Sequence, residues 1–199
     1  PAVGAAGVRV ISMDLFLPDA ETPVMWDHPG GLASDTTIWR GTMEATVLRE
    51  FLTDTAWGSL DFLLLDLPPG SDRFAAVAGL LPRLAGVIVV TAPTVVSQMV
   101  VQKAISAARQ RGDPLLGVVE NMSGYVCPNC GTQSPLFPGG ATEQMTQAMA
   151  LPLLGRIPFD PRMAAAADAG LPFALAYPDA LAARALAELA TAVEGAIAS

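Results

Sequence analysis

Two short segments carry residues whose types and spacing could do chemistry. In the first, Asp61-Phe62-Leu63-Leu64-Leu65-Asp66-Leu67-Pro68-Pro69-Gly70, an apolar run ends in a carboxylate followed by a rigid turn. An Asp at the C-terminal end of a parallel strand stands where ligands bind in open α/β sheets, and there it can hold the hydration shell of a Mg²⁺ ion. Pro68, Pro69 and Gly70 would then shape a loop that senses a terminal phosphate. The plainer reading has Asp66 capping the segment after a turn, and the local pattern leaves both open. The second segment is Cys127-Pro128-Asn129-Cys130-Gly131. Two thiolates separated by two residues can face one soft metal ion, as in zinc or iron–sulfur sites. Such sites want four ligands, and these are the only two cysteines in the chain. A two-fold dimer would complete the set. A structural or redox-active thiol pair is the alternative, although a thioredoxin-type dithiol would open a helix, whereas Thr132 to Gly140 reads as loop.

Other chemistry lacks its residues. A phosphate-cradling P-loop needs a glycine-rich turn and a lysine, and Lys103, the single lysine, lies in a helical stretch with no glycines before it. It reads as a surface helix lysine. His28 is the one histidine and sits in a Pro-rich loop, so no His-based nucleophile relay is available. Gly30-Gly31 and Gly139-Gly140 read as loop glycines. Trp39 and Trp57 read as packing anchors of the first helix, and Met145 and Met149, four residues apart, as core.

The elements that must position these residues follow from periodicity. Short apolar runs alternate with amphipathic Ala-rich segments, the pattern of βαβ units around a parallel sheet. Strands are expected at Val8–Leu17, Phe62–Asp66, Val87–Thr91, Leu115–Glu120 and Leu153–Ile157. Those from Phe62 onward are apolar throughout, as strands covered by helices on both faces should be. Helices are expected at Met43–Thr53, Ser97–Gln110, Thr142–Met149, Met163–Ala169 and Asp179–Ala198, with Asp179 as an N-cap and Gly112 as a helix stop. Pro18–Ile38 and Asn121–Gly140 read as long loops, which in a compact domain are usually functional. No linker divides residues 1–199, and one α/β domain is expected.

Composition narrows the partners. With 199 residues, 52% of them hydrophobic and 15% charged, the chain can bury a sizeable core. Its formal net charge of -8 argues against a broad electrostatic grip on nucleic acid or anionic lipid. The longest apolar stretch, Val87–Val96, is broken by Thr91 and Pro93 and falls short of the roughly 20 residues that cross a bilayer. With two cysteines and no signal-type leader, a cytoplasmic, reducing setting is the expectation.

Several further motifs now join the first two. Ile38-Trp39-Arg40-Gly41-Thr42-Met43, Trp57-Gly58-Ser59-Leu60-Asp61-Phe62, Asp66-Leu67-Pro68-Pro69-Gly70, Glu120-Asn121-Met122-Ser123-Gly124-Tyr125-Val126-Cys127-Pro128-Asn129-Cys130-Gly131 and Ile157-Pro158-Phe159-Asp160-Pro161-Arg162, with Asp168-Ala169-Gly170, occur in that order. The set resembles the Mrp/ApbC-type iron–sulfur carrier ATPases of the MinD-like branch of P-loop NTPases, from about Gly7 to Phe173. The resemblance implies a mostly parallel sheet with helices on both faces. It also implies a homodimer that binds ATP and Mg²⁺, holds a labile [4Fe–4S] cluster between its subunits, and passes it to apo iron–sulfur proteins, working with cluster-assembly scaffolds. Cys127 and Cys130 would be the cluster ligands. Asp66 would serve catalysis in the Mg²⁺ and water network, and Gly70 would lie near the γ-phosphate. Asn121 would contact the adenine, and a loop from Pro158 to Asp160 would close over the base.

The family begins with a strand and a P-loop upstream of the segment matching Gly7. Their absence implies an interior start at Pro1, so that the chain is the C-terminal part of a longer ATPase domain, binding ATP poorly by itself and leaving apolar sheet flanks without a partner. After Gly70 the family has Thr-Gly-Asp, whereas Ser71-Asp72-Arg73 here is one residue short. A non-catalytic dimerisation module whose cysteine pairs hold zinc is the competing reading. A MinD/ParA-like positioning ATPase on membrane or DNA ranks last, because Asp179–Ser199 carries one Arg against three acidic residues.

Overall fold

The computed structural model describes residues 1–19, 21–23, 36–67 and 71–198. They form two compact units, Pro1–Pro68 with Ala76–Leu81, and Pro69–Ala75 with Pro82–Ser199.

In the first unit, β1 (Ala2–Val3) and β2 (Arg9–Val10) pair antiparallel through a turn in which the Gly4 N–H donates to the Val8 carbonyl at 2.8 Å. The strand expected over Val8–Leu17 is therefore only Arg9–Val10. Ser12 ends it, because its hydroxyl accepts from the Asp14 N–H and starts a 3₁₀ turn over Met13–Phe16. Helix α1 (Thr36–Thr53) begins earlier than the apolar period implied, and the Trp57 indole N–H donates to the Phe51 carbonyl at 3.1 Å near its end. The strand expected over Phe62–Asp66 is not formed. Phe62 and Leu64 are exposed, and among the described residues no strand pairs with this run. Apolar alternation makes a strand only when a neighbour takes up its N–H and C=O groups.

Helix α2 (Ser71–Ala78), which periodicity missed, precedes the sheet of the second unit. There β4 (Leu115–Val126) lies between β3 (Val87–Thr91) and β6 (Leu153–Phe159) and is parallel to both, while the short β5 (Gln133–Ser134) returns antiparallel to its end. Helix α3 (Val95–Arg111) follows β3, α4 (Ala141–Ala148) precedes β6, and α5 (Arg162–Asp168), α6 (Phe173–Ala176) and α7 (Leu181–Ala198) close the chain.

Adjacent strand residues point to opposite faces, and the core divides accordingly. Val118 and Val89 pack with Ile105 of α3 and Met145 of α4. Their neighbours Val119 and Ile88 pack on the other face with Ala166, Phe173, Ala182 and Ala183 of α5, α6 and α7. Each fully buried aliphatic side chain, such as Val118 or Ile105, contributes about 1.5–3 kcal/mol. This is the mostly parallel sheet with helices on both faces that the sequence implied.

Both ends of α3 are set by side-chain type. The Thr94 hydroxyl accepts from the Ser97 N–H at 3.2 Å, and Gly112 takes the left-handed conformation that stops the helix, as its glycine signalled. The start of α7 differs from expectation: the helix begins at Leu181, beyond Asp179. The long loop expected from Asn121 is also shorter, because β4 continues through Val126 and pairs with β5. Pro158 belongs to β6 rather than to a closing loop, and only Asp160 lies beyond that strand.

Candidate functional site

Midway along β4 the pairing with β6 changes character. Asn121 Oδ1 accepts the N–H of Met122 at 2.9 Å, and Met122 adopts a left-handed backbone with φ 57°. The register with β6 slips between Asn121 and Tyr125. A short polar side chain that captures a neighbouring amide competes with the sheet ladder, which accounts for the break at this position. Asn121 is left exposed at this break.

Beyond the break the chain becomes a hairpin. Tyr125 and Val126 pair with Ser134 and Gln133, and the Tyr125 ring stacks on Phe159 of β6 at a centroid distance of 6.4 Å, tying the hairpin base to the sheet. The Cys127 N–H donates to the Thr132 carbonyl at 3.0 Å, and the Gly131 N–H donates to the Cys127 carbonyl at 2.8 Å. Pro128 to Gly131 thus form the tip, and Gly131, at φ 72°, supplies the left-handed residue that lets the chain return. The cysteine pair therefore sits on a hydrogen-bonded hairpin, not at a helix start.

Both cysteines are free thiols, Cys127 half-buried and Cys130 exposed. The Cys130 thiol lies 3.3 Å from the Thr132 hydroxyl. That hydroxyl first, then the Thr132 backbone and the Cys127 side chain, holds the Cys130 thiol below its ordinary range, which favours the thiolate that binds metals. Among the described residues no group of three or more His, Cys, Asp or Glu side chains could hold a metal ion. The donor set is thus two soft sulfur atoms, suited to iron or zinc and short of a full coordination shell.

Gly124 keeps this arrangement closed. A Cβ there would stand 2.8 Å from Gln133 Nε2 and 3.0 Å from the Ser134 carbonyl oxygen, so β5 lies directly against the glycine backbone. We expect Gly124→Ala to weaken the hairpin by about 1–2 kcal/mol, read as a roughly tenfold loss of amide-exchange protection at Cys127. Unchanged protection would mean that β5 yields without cost.

Beside the hairpin base lies a cavity of about 680 Å³, lined by Glu120, Ser123, Gln133, Glu143, Arg156 and Pro158 among others. Glu120 and Arg156 face each other in register on β4 and β6. The Arg156 guanidinium lies 3.3 Å from the buried Glu120 carboxylate and also reaches Glu143. Ser123 Oγ and the second Glu143 carboxylate oxygen are buried in the cavity wall without hydrogen-bond partners among the described residues. Sequence reasoning missed this network. Its one signal was a charge, Glu120, closing the otherwise apolar run expected as a strand.

The remaining candidates fall into separate places. Pro158 lines the cavity. Asp160, 1% exposed, gives both carboxylate oxygens to Arg162, at 3.0 Å from Nε and 2.6 Å from a terminal nitrogen, and accepts the Arg162 backbone N–H at 3.0 Å. Its carboxylate is committed to the protein itself. Asp66 is exposed in the first unit, and Gly70 and His28 lie outside the described residues. Lys103 is exposed on α3, and Met145 is buried, both as their spacing implied.

A model of the ParA family, described as NUBPL iron-transfer P-loop NTPase, matches residues 1–194. The chain is 41% identical to the iron-sulfur cluster carrier protein of Saccharolobus solfataricus over 180 residues, 90% of this chain and 56% of that protein. It is 38% identical to the protein of the same description from Methanocaldococcus jannaschii, over 88% of this chain and 56% of that one. Thus the chain spans about half the length of the curated relatives it matches. Among solved structures, the nucleotide-binding protein of Archaeoglobus fulgidus in complex with ADP aligns at a TM-score of 0.57 and 36% identity, covering 67% of this chain and 55% of that one. The cell division ATPase MinD of Pyrococcus furiosus aligns at 0.56 and 24% identity, over 76% and 58%, and shares the fold. Among the described residues no helix is long and apolar enough to cross a membrane.

Proposed function

Given that the chain belongs to the ParA family, in its group of iron-transfer P-loop NTPases, we propose that it is the cargo-holding part of an ATP-dependent iron–sulfur cluster carrier. The observation that carries this reading is the Cys127–Cys130 hairpin, which presents two adjacent free thiols on an ordered turn with no third ligand among the described residues. Such a half-site suits a labile [4Fe–4S] cargo shared by two copies of the chain, each supplying Cys127 and Cys130. A partly exposed site is also one from which apo iron–sulfur proteins could take the cluster and assembly scaffolds could supply it. The net charge of -8 fits traffic between proteins in the cytoplasm rather than binding to nucleic acid or membrane.

The nucleotide side of the proposal rests on residues of β4, β6 and the turn after β6. Asn121, exposed and oriented by its bond to Met122, would meet the adenine. Pro158, in the cavity wall, would bound the base, and Asp160 would act through the Arg162 pair that fixes the turn after β6 rather than through a free carboxylate. Asp66 and Gly70 would serve Mg²⁺, water and the γ-phosphate. Bound Mg²⁺ would neutralise charge on the phosphates during hydrolysis.

The test is iron, sulfide and zinc content, with an absorption spectrum, on the full-length protein purified without oxygen. About two irons and two sulfides per chain are expected for a cluster shared by two copies. Roughly half a zinc per chain and no visible chromophore would make the pair a structural zinc site and remove the carrier reading.

A further inference from the structure

The register of the hairpin continues past its last strand pair. Tyr125 faces Ser134 and Val126 faces Gln133, so Cys127 faces Thr132, and the 3.0 Å bond from the Cys127 N–H to the Thr132 carbonyl closes that rung. Residues directly opposed on antiparallel strands project from the same face, which brings the Thr132 side chain up beside Cys127. Its hydroxyl oxygen lies 3.3 Å from Cys130 Sγ. Thr132 is thus next to one cysteine across the hairpin and bonded to the other around the tip. Because threonine is β-branched, few χ1 rotamers are open to it, which limits the positions that the hydroxyl can take beside the sulfur.

We propose that Thr132 is a positioning residue for the Cys130 sulfur, donating a hydrogen bond to it once a metal is bound. The inference rests on the reading of Cys127 and Cys130 as metal ligands. With the thiol protonated, the Sγ–H donates to Thr132 Oγ1. When a metal ion takes the sulfur, the S–H bond breaks, its proton leaves to water and a sulfur–metal bond forms. The hydroxyl then turns and donates its own hydrogen to the metal-bound sulfur. A donated hydrogen bond draws electron density from the sulfur, so that sulfur-to-metal charge transfer needs more energy, and it fixes the orientation in which the sulfur meets the metal. Thr132 would thereby set how firmly the hairpin keeps its cargo.

Co(II) is a suitable probe, because its thiolate charge-transfer bands report the sulfur directly. In the full-length protein, Thr132→Val keeps the branched shape and removes the hydroxyl, whereas Thr132→Ser keeps the hydroxyl. We expect Thr132→Val to move the charge-transfer band to lower energy and to release Co(II) to a chelator on the order of tenfold faster, with Thr132→Ser restoring both. A Thr132→Val protein that binds Co(II) with an unshifted band and unchanged release would overturn the proposal. So would a Thr132→Ser protein as defective as the valine variant, since shape rather than the hydroxyl would then be responsible. If the unsubstituted protein takes up no Co(II), the metal-ligand reading itself fails and this inference falls with it.

Discussion

Replacing either cysteine with serine is expected to reduce bound iron to below about a tenth of the unsubstituted level, with Cys127→Ser and Cys130→Ser equally severe. Serine has nearly the shape of cysteine, but its oxygen is a hard donor that stays protonated near neutral pH, so it cannot stand in for a thiolate. In a site shared by two copies, one substitution removes one sulfur from each chain, and half of a four-sulfur set is lost at once. Folding should be nearly untouched. Cys127 is half-buried and Cys130 exposed, and the bonds that shape the tip run through the Cys127 backbone. We therefore expect a thermal midpoint changed by no more than a surface substitution allows, within about 0.5 kcal/mol of stability. A variant that retains its iron would sever the hairpin from the cargo. One that loses iron together with a large fraction of its stability would point to a structural metal instead.

The second unit was far more legible in the sequence than the first, for a physical reason. Val87–Thr91, Leu115–Glu120 and Leu153–Ile157 each have strand neighbours in the second unit, so their apolar runs became the strands that periodicity implied. Phe62–Asp66 has an equally apolar run, but no strand takes up its backbone groups among the described residues. Apolarity shows which residues seek burial, whereas pairing depends on what lies alongside. Helix ends set by one residue, such as the stop at Gly112, were readable, and the start of α7 at Leu181 was not.

The candidate site divides in the same way. Cys127 and Cys130 were visible through spacing alone, because two thiols three positions apart are rare enough to signal metal chemistry. Asn121, Pro158 and Asp160 entered only through resemblance to a family, since nothing in an isolated Asn or Pro points to a ligand. The hairpin that carries the cysteines was hidden. It depends on β5, two residues long and polar, which has no hydrophobic period to betray it. The facing pair Glu120 and Arg156 lies thirty-six positions apart in sequence and becomes a pair only through the register of β4 with β6.

Arg162→Met is expected to destabilise the second unit by roughly 2–3 kcal/mol at neutral pH, and to reverse the acid limb of its stability curve. The Asp160 carboxylate is 1% exposed, and its side-chain partner is the Arg162 guanidinium, at 2.6 Å and 3.0 Å. Removing the arginine strands a charge out of water, with the backbone N–H of residue 162 as its remaining donor among the described residues. The cost falls below the roughly 3–5 kcal/mol typical of a fully buried pair, because the Arg162 side chain is itself 40% exposed and partly screened. In the unsubstituted protein the Arg162 hydrogen bonds hold the Asp160 carboxyl below its ordinary value of 3.8. A carboxylate depressed in the folded state stabilises the fold at pH values above the unfolded value, and that contribution is lost as pH falls from there through the folded one. Without Arg162, burial favours the neutral acid and lifts the folded value above the unfolded one. The variant should then gain stability as pH falls from neutral toward about 4, where the unsubstituted protein still holds its full contribution from this pair. Denaturant unfolding at several pH values distinguishes the two curves. Parallel acid limbs would show that Asp160 is stabilised without Arg162, and the guanidinium would lose its role in fixing the turn after β6.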